Sequence, residues 1–187
     1  MTEQRSKMMS HHEVIFSGSG GQGLMFLGKV LAKLALDAYE HVTFFPSYGA
    51  EVRGGTSNCQ VILSATPIAS PVVEHASAMV LMNQPSVDRF LPQLPAEGMA
   101  FVNSSLASAE GDNVVLVPAS DIALELGDVR AANVTIFGTF LSQVPIIDKA
   151  VALAGIQAVS KRKGDKAVEI NTRAFERGLE FLTAAAK

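Results

Sequence analysis

One glycine-rich turn, Ser17-Gly18-Ser19-Gly20-Gly21-Gln22-Gly23, restricts what this chain can fold into more than any other stretch. Ahead of it, Glu13-Val14-Ile15-Phe16 reads as a short buried strand. Behind it, Leu24, Leu27, Val30, Leu31, Leu34, Ala35 and Ala38 recur at three- and four-residue steps, the period of an amphipathic helix. Gly18, Gly20 and Gly23 have the G-x-G-x-x-G spacing, so the chain passes from strand to helix through a backbone that tolerates positive φ and close approach. The free N–H groups of a helix start attract an anion, which makes a phosphate or a carboxylate the natural guest. The alternative use of the same glycines is tight packing of helix on sheet. An NAD-type fingerprint also needs an acidic residue about 20 residues on, at the end of the second strand. Here His41-Val42-Thr43-Phe44-Phe45 runs straight into Pro46-Ser47, while Asp37 and Glu40 come too early, so ordinary NAD binding is not expected.

Further along, strand and helix patterns alternate. Pro46-Ser47-Tyr48-Gly49-Ala50-Glu51-Val52-Arg53-Gly54-Gly55-Thr56 is too irregular for a helix and too polar for a core strand, so it reads as a loop. Ser57–Ser64 reads as a strand. Ala78–Met82 is a continuous apolar run, the pattern of a parallel strand covered on both faces. A helix follows from about Pro85 to Leu91, then strands at Gly98–Asn103 and Val114–Val117. Helices are predicted from Pro118 to about Leu126, over Asn133–Val144 and Asp148–Val159, and from Asp165 to the C-terminus, with Asp121 and Asp165 as caps. The expectation is a single α/β domain: a three-layer, Rossmann-like fold with a mostly parallel sheet and helices on both faces. Ligands of such sheets gather at the carboxyl ends of the strands, where the two glycine-bearing loops can line one crevice.

Composition excludes several function classes. A chain of 187 residues is long enough for one domain with a sizeable core. A formal charge of −3, with Lys161-Arg162-Lys163 as the only basic run, argues against nucleic acid as a partner. No stretch approaches the roughly 18–20 apolar residues of a membrane span. Met1–His12 is polar and reads as a flexible lead-in without a signal peptide's apolar core, which points to a cytoplasmic protein. A hydrophobic content of 48% against 18% charged residues suggests surface reserved for partner subunits, and self-association when the chain is isolated. The single Cys59 allows no disulfide, no C-x-x-C zinc site and no cluster ligation, and its apolar setting suits a buried structural thiol. His11, His12, His41 and His75 have no metal-ligand companions at useful spacing, so no metal is expected.

The segments Gly18-Ser19-Gly20-Gly21-Gln22-Gly23, Pro46 through Cys59, and Ser70-Pro71-Val72-Val73 together resemble the gamma subunit of 2-oxoacid:ferredoxin oxidoreductases, most of all the 2-oxoglutarate type. Asn171-Thr172-Arg173-Ala174-Phe175 and Gly178 fit the same pattern. Pyruvate, branched-chain and indolepyruvate enzymes have similar gamma-type domains. The resemblance implies a gamma-type domain over residues 13–187 within a complex of alpha, beta and ferredoxin-like delta subunits. Such a complex converts a 2-oxoacid and coenzyme A to acyl-CoA and CO2 and passes electrons to ferredoxin. Thiamine diphosphate and iron–sulfur (4Fe-4S) clusters are then held by the partner subunits.

The residues expected to meet an anion, coenzyme A included, are Gly18, Gly20, Gly21, Gln22 and Gly23 on the first loop, and Arg53, Gly54, Gly55 and Thr56 on the second. A guanidinium offers paired donors for phosphate or carboxylate, so Arg53 is the strongest polar candidate, with a salt bridge to Glu51 or a partner subunit as the alternative. Tyr48, Glu51 and Asn58 are candidate interface residues. No Ser–His–Asp arrangement or poised carboxylate pair supports catalysis by this chain alone. A stand-alone phosphate- or nucleotide-binding module and a purely structural assembly subunit are the rival readings.

Overall fold

The computed structural model describes residues 11–47 and 56–185. The expectations placed on Tyr48, Glu51, Arg53, Gly54 and Gly55 fall outside them, as does the lead-in up to residue 10. Six strands form one sheet: β1 (His12–Gly18), β2 (His41–Ser47), β3 (Ser57–Ser64), β4 (Ala78–Leu81), β5 (Met99–Asn103) and β6 (Val114–Val117). The helices are α1 (Leu24–Ala35), α2 (Gln84–Phe90), α3 (Ala119–Glu125), α4 (Ala132–Gln143), α5 (Lys149–Ser160) and α6 (Asp165–Ala185). The sheet order is β2-β3-β1-β4-β5-β6.

The pairs β1–β4, β4–β5 and β5–β6 are parallel, whereas β3 runs antiparallel to both β1 and β2. The reason is connection length. Residues 48–56 join β2 to β3, and a parallel crossover needs a dozen or more residues. β2 and β3 therefore form a hairpin-like pair, with β3 inserted beside β1. Pro46 lies within β2, which is an edge strand, the one place a sheet accepts a residue without an N–H.

The central strands are apolar on both faces, because both faces are covered. Val14 and Phe16 of β1, Val80 of β4 and Phe101 of β5 join α1, α3, α4, α5 and α6 in one large core. Ile15, Met79, Leu81, Ala100 and Val102 point to the opposite side, where Val87 and Phe90 of α2 cover them. Helices do lie on both faces, but five on one and one on the other. On the thinner side the segment between β3 and β4 folds back, with the Val73 N–H donating to Gln60 Oε1 at 2.6 Å. Rings from two helices pin the thicker layer: Phe140 lies 5.6 Å from Phe101 and 6.1 Å from Phe16, while Phe137 lies 6.2 Å from Phe175.

Cap assignments differ from expectation. Asp148, which was not among the expected caps, caps α5 by accepting the N–H groups of Ala150 and Val151. Asp121 is inside the first turn of α3, where its carboxylate accepts the Ser105 hydroxyl, and Asp165 is the first residue of α6 rather than the residue before it.

Candidate functional site

The chain leaves β1 and β4, which are neighbours, toward opposite faces of the sheet: α1 packs on one and α2 on the other. Such a switch point opens a crevice beyond the carboxyl ends of the strands, and the glycine turn lies there. The foot of the second loop lies there too, because Gly18 pairs with Ser57, and Ser47 with Asn58. The carboxyl ends of β1 and β2 and the start of β3 thus lie together at one end of the sheet.

The glycines divide by what surrounds them. A Cβ on Gly18 would collide with Gln22, Leu24 and Met82, and one on Gly23 would meet the Asn133 amide. Gly23 has φ +76° and precedes the first residue of α1. These two serve close packing and the turn itself. Gly20 and Gly21 are exposed, and nothing stands within 4 Å of an added Cβ on either. Among the described residues no acceptor takes the N–H groups of Gly20, Gly21 or Gly23, and no side chain caps α1. The turn therefore presents backbone donors at a helix start.

Gln22 is committed within the loop. Its Oε1 accepts the Ser19 N–H at 2.7 Å, and its Nε2 donates to Met82 O at 3.4 Å. Both ends of its amide are thus engaged with backbone groups of this chain. Thr56 is buried at the foot of β3. Asn58, expected at an interface, is instead inside the chain at 2% exposure, because its place on β3 puts it between Ser17 and Ser47 of the flanking strands.

Several polar residues here were not anticipated. Asn83 caps α2 by accepting the Ser86 N–H and donates to Ser19 Oγ at 2.6 Å, joining the start of α2 to the glycine turn. Ser17 donates to Ser86 Oγ at 2.9 Å. Asn133, on α4, donates to Gly23 O at 3.3 Å. Asn83-Gln84-Pro85-Ser86 carried a readable signal, a capping residue followed by proline at the helix start.

Cys59 is fully buried, with its thiol toward Leu24 O at 3.4 Å, and burial pushes its pKa up to about 12. It is the packing thiol expected. Among the described residues, no helix is long and apolar enough to cross a membrane, and no group of three His, Cys, Asp or Glu side chains could hold a metal ion.

The family model for pyruvate ferredoxin/flavodoxin oxidoreductase matches residues 13–181. The ketoisovalerate oxidoreductase subunit VorA of Methanothermobacter thermautotrophicus is 34% identical over 178 residues, covering 90% of this chain; the chain spans only 36% of that relative's length. The 2-oxoglutarate synthase subunit KorC of Methanocaldococcus jannaschii is 28% identical, with 96% of this chain and 97% of that one covered. In structure, the chain resembles the gamma subunit of a keto/oxoacid ferredoxin oxidoreductase from Geobacter sulfurreducens, with a TM-score of 0.79 at 27% identity over 94% of this chain and 98% of that one.

Proposed function

This chain belongs to the pyruvate ferredoxin/flavodoxin oxidoreductase family, and from that premise we propose that it works as the gamma subunit of a 2-oxoacid:ferredoxin oxidoreductase. The observation that carries this reading is the end-to-end likeness to a gamma subunit of such an enzyme. In that role the assembled enzyme decarboxylates a 2-oxoacid oxidatively, yields acyl-CoA and CO2, and passes electrons to ferredoxin. Alpha, beta and ferredoxin-like delta subunits are its partners. The residues of this chain do not fit an iron–sulfur cluster: its one cysteine is buried, with its thiol held far from ionisation. The clusters and thiamine diphosphate are assigned to the partner subunits.

What this chain contributes is a rim of donors. Coenzyme A carries phosphates, and the exposed Gly20–Gly21 backbone at the start of α1 is suited to one of them. Arg53, Gly54, Gly55 and Thr56 complete the proposed anion site, and Tyr48 and Glu51 the contact with a partner subunit. Two substrates have support. KorC, a 2-oxoglutarate synthase subunit, aligns over nearly its whole length, and VorA, a ketoisovalerate oxidoreductase subunit, is more identical over the shared part.

Co-purification of the native complex tests the proposal. Assays with 2-oxoglutarate, 2-oxoisovalerate, pyruvate and indolepyruvate, each with coenzyme A and ferredoxin, should give turnover only when this chain and its partners are together. A pure sample of the chain that oxidised a 2-oxoacid alone would contradict it.

A further inference from the structure

The backbone groups of each strand alternate between its two neighbours, and hydrogen bonds fix the alternation across the sheet. The carbonyls of Glu13 and Ser17 accept the N–H groups of Ser77 and Met82, so these residues of β1 face β4. Val14 and Phe16 therefore face β3, where their partners are Val61 and Cys59. Gln60 and Ile62 of β3 then face β2, where their partners are Phe45 and Thr43. Val42, Phe44 and Pro46 are left facing outward, and among the described residues no strand lies beyond β2. Val42 and Phe44 each offer an N–H and a carbonyl there. Pro46 offers only a carbonyl, and its ring stands where an N–H would point. Edge strands are ordinarily guarded by charge, by a bulge or by brevity. The far edge, β6, is 4 residues long. β2 has 7, none of them Lys, Arg, Asp or Glu, and its Phe45 is 40% exposed.

We infer that the outer edge of β2 is a pairing surface for a second copy of this chain, the two β2 strands running antiparallel about a two-fold axis through Thr43. An edge that carries both donors and acceptors is complementary to itself under such an axis. With Thr43 on the axis, Val42 faces Phe44 of the second copy and Phe44 faces its Val42, so every outward N–H of the strand finds a carbonyl. Pro46 selects this register. An axis at Phe44 would set the proline ring against Val42 of the second copy. With Thr43 on the axis, the ring lies opposite Glu40, before that strand begins. An axis at Val42 would leave Phe44 with no strand residue to pair with. Thr43 supplies an independent sign, because its Oγ1 is shielded from solvent and has no hydrogen-bond partner. On the axis the two Thr43 side chains share one face as a non-hydrogen-bonded pair, with Cα atoms about 4.5 Å apart, and one hydroxyl can donate to the other. Phe45 comes to lie beside His41 of the second copy, which covers part of its exposed ring.

Sedimentation velocity of the full chain tests this, together with mild oxidation of single-cysteine variants. One strand edge is a small interface, so a micromolar Kd is expected, and at about 100 μM most of the chain should be dimeric. Thr43→Cys should form a disulfide-linked dimer, because the two copies of residue 43 adjoin on the axis. Phe45→Cys is at a well-exposed position but should not link, since the same residue of the second copy lies about 13 Å along the seam. The wild type should not link either, its only cysteine being buried. Thr43→Lys sets two ammonium groups face to face and should return the chain to monomers with an unchanged circular dichroism spectrum. A wild-type chain that stays monomeric at that concentration overturns the proposal, and is the outcome expected if β2 receives a strand of another subunit instead. A dimer that Thr43→Cys does not link, that Phe45→Cys links as readily, or that Thr43→Lys leaves intact also overturns it, because the copies then meet elsewhere.

Discussion

Gly23 and Gly20, three residues apart in one loop, should respond oppositely to a methyl group. Gly23→Ala must hold a positive φ and displace the Asn133 amide. It should cost on the order of 2–4 kcal/mol in urea unfolding. Gly20 has no positive φ and open space around it, so Gly20→Ala should leave the melt unchanged and act only on a ligand. The spacing of these glycines is plain in the sequence. Their division of labour is not, because it depends on Met82 from β4 and Asn133 from α4. The bonds that Asn83 and Asn133 make to the loop were illegible for the same reason, spanning 64 and 110 residues, although the capping role of Asn83 could be read locally. Cys59 shows the reverse case, since its apolar setting already told of a packed thiol. With its pKa pushed up to about 12 by burial, the thiol stays protonated at neutral pH, and native protein should resist alkylation until urea unfolds it.

The pairing of α4 with α6 depends on two glycines that let the helices touch backbone to backbone. A Cβ on Gly178 would run into the Thr135 carbonyl, and one on Gly138 into that of Phe175. The Thr139 hydroxyl donates to Gly178 O at 2.9 Å across the same contact. Gly178→Ala should therefore force the helices apart and cost about 3 kcal/mol or more in chemical denaturation, since backbone cannot move aside as a side chain can. Asp148→Ala, which removes only the cap of α5, should cost about 1 kcal/mol in the same measurement. Helix and strand identities were readable because each element keeps one periodicity. Gly138, by contrast, is where α4 comes closest to the α6 backbone, which its place in the sequence does not show. The reversal of β3 was harder to see, since an apolar run such as Val61-Ile62-Leu63 reads alike in either direction and only the short 48–56 connection fixes it.

At the scale of the whole molecule, Glu13 fastens the entry of β1 to the segment before β4. Burial alone would raise its pKa, but a hydrogen bond from His11 and the N–H groups of His75 and Glu74 outweigh that and hold it below its ordinary 4.5. A carboxyl whose folded pKa is depressed contributes stability above its unfolded value and loses it as pH falls through the folded one. Unfolding free energies should therefore decline as pH drops below about 4.5, and Glu13→Gln should flatten that decline. Phe45 and Val72, 40% and 46% exposed, lie on or beside the thinly covered side of the sheet, in keeping with a chain that works among partners. The proposed role of the first glycine loop is to grip a phosphate of coenzyme A inside the assembled enzyme. The most direct measurement is the KM for coenzyme A in the purified complex carrying Gly20→Ala. The predicted result is a rise of about tenfold with kcat changing far less and assembly intact, as expected when one side of a charged hydrogen-bonding site is blocked. An unchanged KM in an intact complex would contradict it.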